Sequence, residues 1–383
     1  MEIYLDNAAT TKVDSKVAKR VNEIFTSDFG NYSSQHVVGK KVKVAVEEAR
    51  AKIAKFIGAT AKEIVFTSGG TESNNLALRG LAKANPGKKH IITSVIEHPS
   101  VLDTCKDLEK DGYSVDYIGV DSGGIVNVSE IEDKIRGDTL VVSIMHVNNE
   151  IGTIQPIKEI GTICMENGIY FHSDAVQSFK KIDLDVKKMN IDLLSVSGHK
   201  VNAPKGIGFL YVGKNVPISE IITGGGQENG IRSGTLNSPG IVGLGASLDV
   251  DVNKEDIRKM RDLIMEGLLK IPGSKINGST EDRIYNNINI SFYGVEGEGL
   301  MLRLDDEGIY VSNGSACAST KLVESYVLKS IEVPKEYIHG SLRLTLGEIT
   351  LEEANYVVDK ITRKVEELRS LSPFELKLDK LRN

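Results

Sequence analysis

Cysteine is scarce in this chain. Only three occur among 383 residues, Cys105, Cys164 and Cys317. Odd in number and far apart, they exclude a disulfide framework and fit a reducing cytosol. Neither a CxxC pair nor an HExxH motif is present, so no structural zinc site is implied. A GxxxxGK(S/T) phosphate loop and a GxGxxG dinucleotide turn are also missing. No uninterrupted apolar run approaches the roughly 18 residues of a membrane helix, so no span is expected. The start, Met1-Glu2-Ile3-Tyr4-Leu5-Asp6, lacks the basic and apolar regions of a secretory signal, and a cytoplasmic location is expected. Net charge is −6 with Lys and Arg scattered, which leaves no basic stripe for direct nucleic-acid binding.

What is present is ordinary globular composition, 40% hydrophobic and 26% charged. At roughly 100–200 residues per domain, the length predicts two domains or one large domain with an appendage. Apolar spacing predicts a helix from Val37 to Gly58. Strand-like runs recur at Glu63–Phe66, His90–Thr93, Val115–Val120, Leu140–Met145, Gly168–His172, Asp192–Val196 and Gly208–Val212, with helical stretches between several of them. That alternation predicts an α/β fold with a mostly parallel (mixed) sheet flanked by helices. A long helical region is expected from about Asn237 to Leu269. Beyond Pro272, strand patterns at Asn286–Phe292 and Ser341–Leu346 mix with helical ones at Glu296–Leu304 and Leu351–Leu371. A smaller α+β domain is expected there, with the boundary near 260.

The residues that could carry chemistry cluster at the ends of these strands. Lys200, in Ser197-Gly198-His199-Lys200, lies at a bend between two strands. An amine leaving a core strand can lose water and become an imine-forming nucleophile; its bland alternative is a surface loop lysine. Gly69-Gly70-Thr71 sits between a strand and a helix start, where free N–H groups and the helix dipole favour an anion. Its bland alternative, the commoner case for such a turn alone, is an ordinary βα turn with a Thr cap. His98 offers a flat ring at a strand's C-terminal edge, or is a satisfied structural histidine. Asp174, just past a buried strand, needs a cationic partner or caps a helix. Together these supply a phosphate cradle, a stacking ring, a carboxylate for a ring nitrogen and a lysine for an aldehyde. Pyridoxal 5'-phosphate requires that set. Cys317 stands in the small, polar stretch Ser312–Thr320, suited to a nucleophilic thiolate, although free cysteines usually serve packing. Cys105 and Cys164 fall in helical patterns and read as packing residues. Arg343, on an alternating strand, could fork onto a substrate carboxylate or form a surface ion pair.

In its motifs the chain resembles the cysteine desulfurases of the NifS/IscS type, within the class V aminotransferase family of fold type I pyridoxal phosphate enzymes. The resemblance is carried by Tyr4–Thr11, Ser68–Asn75, Glu97-His98-Pro99, Asn148–Gly152, Asp174 with Gln177, Ser197–Lys200, Gly224–Gln227, Arg232–Thr235, Gly314–Cys317 and Arg343. It implies a large cofactor-binding domain over 15–260 and a small domain of 1–14 with 261–383. It further implies that Lys200 anchors the aldehyde and acts as the proton shuttle. His98 would stack on the ring, Asp174 would pair with its nitrogen, and Gln177 would meet its phenolic oxygen. Gly70, Thr71, Ser197 and His199 would hold the phosphate, with Thr235 reaching in from the second subunit of a homodimer. Asn148 and Arg343 would bind the carboxylate of L-cysteine. Cys317 would take the sulfur as a persulfide, releasing alanine, and pass it to an iron–sulfur scaffold or a thiolation enzyme.

The stretch Lys321–Leu328 resembles the extended cysteine loops within that family, which implies a loop that carries sulfur from cofactor to acceptor. Departures from the family pattern are Tyr32 and Asn229, where proline and arginine are usual, and an ending at Asn383 short of the tail used for scaffold docking. Selenocysteine lyase and other reactions on the same scaffold are the alternatives, as is a non-catalytic protein that kept the fold.

Overall fold

The computed structural model describes residues 1–313 and 324–371. Cys317 and the terminal segment from Ser372 lie outside the described residues. Twelve strands occur among those described: β1 (Ile3–Tyr4), β2 (Ile64–Thr67), β3 (His90–Ser94), β4 (Ser114–Ile118), β5 (Thr139–Ser143), β6 (Tyr170–Asp174), β7 (Leu193–Ser197), β8 (Gly208–Val212), β9 (Ser274–Ile276), β10 (Asn287–Phe292), β11 (Ile309–Tyr310) and β12 (Ser341–Thr345). Seven form one sheet in the order β2-β8-β7-β6-β5-β3-β4. Strands β3 to β7 run parallel, β8 is antiparallel to β7, and β2 is antiparallel to β8.

The pleat sends successive side chains to opposite faces, and each face has its own core. Val65, Leu193 and Leu210 enter one core, while their neighbours Phe66, Leu194 and Phe209 enter the other. Every residue of β2, β7 and β8 is buried, as expected for strands covered on both sides. The chain direction brings Thr67, Ser94, Ser143, Asp174 and Ser197 to one edge of the sheet, where β8 begins at Gly208. Gly208 cannot be larger, because a Cβ there would lie 2.7 Å from Gly69 Cα.

A third core gathers Ile257, Ile264, Ile288, Ile290, Leu342, Leu344 and Ile361 around the antiparallel sheet β12-β10-β9. Ile3 and Leu5 join it, since β1 pairs in parallel with β11. The helix expected over Asn237–Leu269 is two helices, Ser238–Ser247 and Lys254–Leu269. Asn253 caps the second by accepting from Asp256 N–H, and the intervening Asp249 and Asp251 favour a break over a continuous helix. The loop read over Lys321–Leu328 also needs correction at its end. Tyr326–Ser330 is a helix capped by Ser325, with Val327 and Leu328 buried against Ile96 and Ile151. No helix among the described residues is long and apolar enough to cross a membrane.

Of the two departures, Tyr32 joins an ion network built around buried Arg50, and Asn229 follows its Glu228 in the chain. Arg50 donates to both carboxylate oxygens of Glu228, at 2.8 and 2.7 Å, and to Ile64 O at 2.8 Å. Glu228 also accepts Phe66 N–H at 2.7 Å. Tyr32 donates to Glu47 at 2.7 Å, and Glu47 lies beside Arg50. Asn229 adopts φ 57°, a left-handed conformation that asparagine tolerates better than most residues. Removing one partner of a buried pair strands the other, at roughly 3–5 kcal/mol. Arg50→Met is therefore expected to lower the melting temperature of the protein by several degrees; an unchanged melt would show that the pair contributes nothing.

Candidate active site

The helix Gly70–Ala84 starts at the end of β2 with Gly69, which has no side chain to cap it. Ser197 Oγ faces this start, 3.5 Å from where a Cβ on Gly69 would lie. Gly70 is packed against Val176, 2.7 Å from its own would-be Cβ. An uncapped helix N-terminus with a serine hydroxyl beside it is suited to an anion. Thr71 lies exposed at the same turn. Arg232 ties the loop that carries Thr235 to this turn, with Nε 2.7 Å from Glu72. Thr235 itself is exposed.

His98 caps the helix Pro99–Lys110. Its Nδ1 accepts Ser100 N–H at 3.1 Å and lies 2.8 Å from Ser100 Oγ, so the ring proton belongs on Nε2. Burial holds the imidazole below its ordinary pKa, against the opposing pull of Asp174 and with the help of Lys200. The ring therefore feels both charges and stays neutral. Asp174, at the end of β6, is buried and accepts from Val176 N–H at 2.9 Å and Asn74 Nδ2 at 2.7 Å. Neither donor is a cation, and Asp174 heads no helix, so the capping alternative is set aside. Asn74 also donates to Ser100 Oγ at 2.8 Å, which joins Asp174 to His98 through one amide. Sequence reasoning did not single out Asn74 or Ser100 as site residues. Each lies within or beside a motif already marked, one helical turn beyond Thr71 and two residues after His98.

Lys200 closes a single 3₁₀ turn, Gly198–Lys200, after β7. Its Nζ donates to Ala8 O at 2.6 Å and Ala9 O at 2.7 Å, so the N-terminal segment lies across the amine. The surface-lysine alternative does not hold. His199 turns to Thr10 Oγ1 at 3.2 Å, and its imidazole is pushed down to about 4, by burial first and then by Lys200, Lys205 and Lys181. Gln177 is buried, donates to Ala8 O at 3.0 Å and accepts from Lys181 at 2.9 Å.

Arg343, on β12, is 4% exposed. It reaches Asp6 at 2.8 Å and Asn149 O at 3.1 Å, and its buried Nε has no partner among the described residues. Its ion pair is buried, not a surface pair as in the alternative reading. Asn148 lies nearby, but its amide is engaged internally. Its Oδ1 accepts from Glu150 and Ile151 N–H groups, and its Nδ2 donates to Ile96 O and Met145 Sδ. Two buried acids also flank the site. Glu97 is pushed up to about 8 and Glu150 to about 7, in both cases mainly by burial. Among the described residues no cluster of His, Cys, Asp or Glu could hold a metal ion.

A lysine, a buried carboxylate, an imidazole ring and an uncapped helix start meet at one edge of the mixed sheet, on an α/β enzyme scaffold. The chain belongs to the aminotransferase class-V family, whose model matches residues 3–352. It is 50% identical to the cysteine desulfurase IscS of Methanosarcina thermophila, over 97% of this chain and 94% of that protein. The cysteine desulfurase IscS of Dictyoglomus turgidum is 48% identical, over 98% and 97%. Among solved structures, a NifS-like protein superposes with a TM-score of 0.90 at 37% identity, covering 96% of this chain and all of that one. SspA in complex with cysteine gives 0.83 at 38% identity, covering 91% and 100%.

Proposed function

We infer that the protein is a pyridoxal 5'-phosphate-dependent cysteine desulfurase that converts L-cysteine to L-alanine and transfers the sulfur to Cys317. The observation that carries this reading is the placement of Asp174, Lys200 and His98 at one sheet edge. There a buried carboxylate has only neutral donors, and the ring feels both charges. A pyridinium nitrogen would supply the cation Asp174 lacks among its hydrogen-bond partners, so the residues fit the cofactor.

When bound, the cofactor supplies an electron sink that makes the substrate's α-carbon acidic and its carbon–sulfur bond breakable. Lys200 Nζ would hold the aldehyde and, once displaced, move the α-proton. His98 would cover the ring, Asp174 would meet its nitrogen, and Gln177 its phenolic oxygen. Gly70, Thr71, Ser197 and His199 would hold the phosphate, joined by Thr235 from the second subunit of a homodimer. Arg343 would take the substrate carboxylate, with Asn148 shaping the turn that faces it. The Cys317 thiolate attacks the substrate sulfur: a sulfur–sulfur bond forms, the carbon–sulfur bond breaks, and the carbon left with the electron pair takes a proton. A sulfur-acceptor protein, an iron–sulfur scaffold or a thiolation enzyme, would then remove the sulfur in the cytoplasm.

The division proposed places 15–260 in the cofactor domain and 1–14 with 261–383 in the small domain. The helix Lys254–Leu269 crosses 260, and its Ile257 and Ile264 already face the core around β12-β10-β9. Purified protein with cofactor, L-cysteine and a thiol reductant is expected to yield alanine and sulfide in equal amounts. Alanine without sulfide, or neither product, would falsify the reading.

A further inference from the structure

Lys181 is a buried amine that the mechanism above does not use. The residue is 8% exposed. Its one hydrogen-bond partner among the described residues is Gln177 Oε1, at 2.9 Å. The charges acting on it are Lys200 and Arg343, both positive, and Arg343 is itself paired with Asp6. Burial first, and then these two cations, push the amine down to about 7. A buried amine without a carboxylate is costly, and a methionine of similar length would fill the space without that cost.

The backbone also works to place it. Lys180 adopts φ 64°, a left-handed conformation unfavourable for lysine, and its own amine goes the other way to Ser247 O at 2.6 Å. Such strain persists where the surroundings over-determine it. The turn delivers Lys181 to Gln177, and Gln177 Nε2 to Ala8 O at 3.0 Å, the same carbonyl that receives Lys200 at 2.6 Å. A carbonyl only accepts and a protonated lysine only donates, so while Lys181 is protonated flipping the Gln177 amide breaks both contacts, and while it is neutral the flip still breaks the contact with Ala8 O.

We propose that Lys181 is a positioning residue that locks the Gln177 amide with its oxygen inward and its N–H groups toward Ala8 and the cofactor. The inference rests on the reading of Lys200 as cofactor anchor. It makes Lys181 the far end of a relay, Lys181 to Gln177 to Ala8 O, that terminates on the anchoring amine.

The test is a pH titration of the visible absorbance of the holoenzyme without substrate. Lys181→Met loosens a donor and removes a nearby positive charge, and both favour the protonated form of the bound chromophore. Its midpoint is expected to rise by about one pH unit, on the scale of one hydrogen bond. A double-mutant cycle separates the two causes. If Lys181 acts through Gln177, the same substitution in a Gln177→Ala background shifts the midpoint by less than half as much. A shift of half or more in that background, or no shift in the single variant, overturns the proposal. Should Lys181→Met lose its circular dichroism, Lys181→Gln carries the same cycle. Wild-type protein whose absorbance resists borohydride overturns the cofactor reading itself, whereas a reducible absorbance with an unmoved midpoint overturns only the role of Lys181.

Discussion

Lys200→Ala is expected to stop sulfide and alanine production from L-cysteine, with a loss of about 10⁴-fold or more. In the proposed reaction two functions would depend on this one amine, anchoring the cofactor and moving the α-proton, and proton transfer alone contributes typically 10²–10⁴-fold. Among the described residues, the two lysines of the neighbouring turn are engaged elsewhere. Lys181 is committed to Gln177 and Lys180 to Ser247 O. Lys200→Arg is expected to be as inactive, because a guanidinium does not deprotonate to become a nucleophile. The carbonyls of Ala8 and Ala9 belong to an N-terminal segment held independently by the pairing of β1 with β11 and by Thr11 on His199 O. The variant should therefore fold. The readouts are product release and the protein's mass after borohydride: wild type gains the reduced cofactor and the variant does not. A variant retaining more than about one-hundredth of the rate would remove Lys200 from the chemistry.

The same residue shows what a sequence can and cannot reveal here. Lys200 was legible because one strand-like run ends at Val196, shortly before it, and another begins at Gly208, and those runs are β7 and β8. Gly208–Val212 matches its strand end to end, since a glycine opens it and Gly213 follows its last residue. The common sheet edge followed from the alternation of strands and helices. What touches Lys200 was not legible. Its partners are backbone carbonyls about 190 positions away, and a carbonyl carries no signature of its side chain. Asn74 and Ser100 join Asp174 to His98 only because two helices meet at that edge. Lys181 looked like one of many scattered lysines until a left-handed residue turned it inward. The break between Ser238–Ser247 and Lys254–Leu269 was hidden because apolar residues continue at helical spacing on both sides of it. Two different cores receive those faces.

Cys317→Ala is expected to separate the two halves of the reaction. The holoenzyme should keep its visible absorbance and still change colour on adding L-cysteine, because Lys200, Asp174 and His98 are untouched. Sulfide release should fall by on the order of 10⁴-fold, as for the loss of an essential nucleophile. The other two cysteines cannot compensate. Cys105 and Cys164 are fully buried in the helices Pro99–Lys110 and Ile157–Glu166, packed into the two cores that cover the sheet. Burial pushes each thiol up to about 12, so at neutral pH both stay as thiols. Neither can present that sulfur at the sheet edge without unpacking its core. A Cys105→Ala, Cys164→Ala double variant should accordingly retain its specific activity to within about twofold once corrected for any loss of stability. Alkylation of that variant should then label a single thiol, with inactivation tracking the label one to one. Full activity in Cys317→Ala, or a labelled and still active double variant, would move the sulfur-accepting step away from Cys317 altogether.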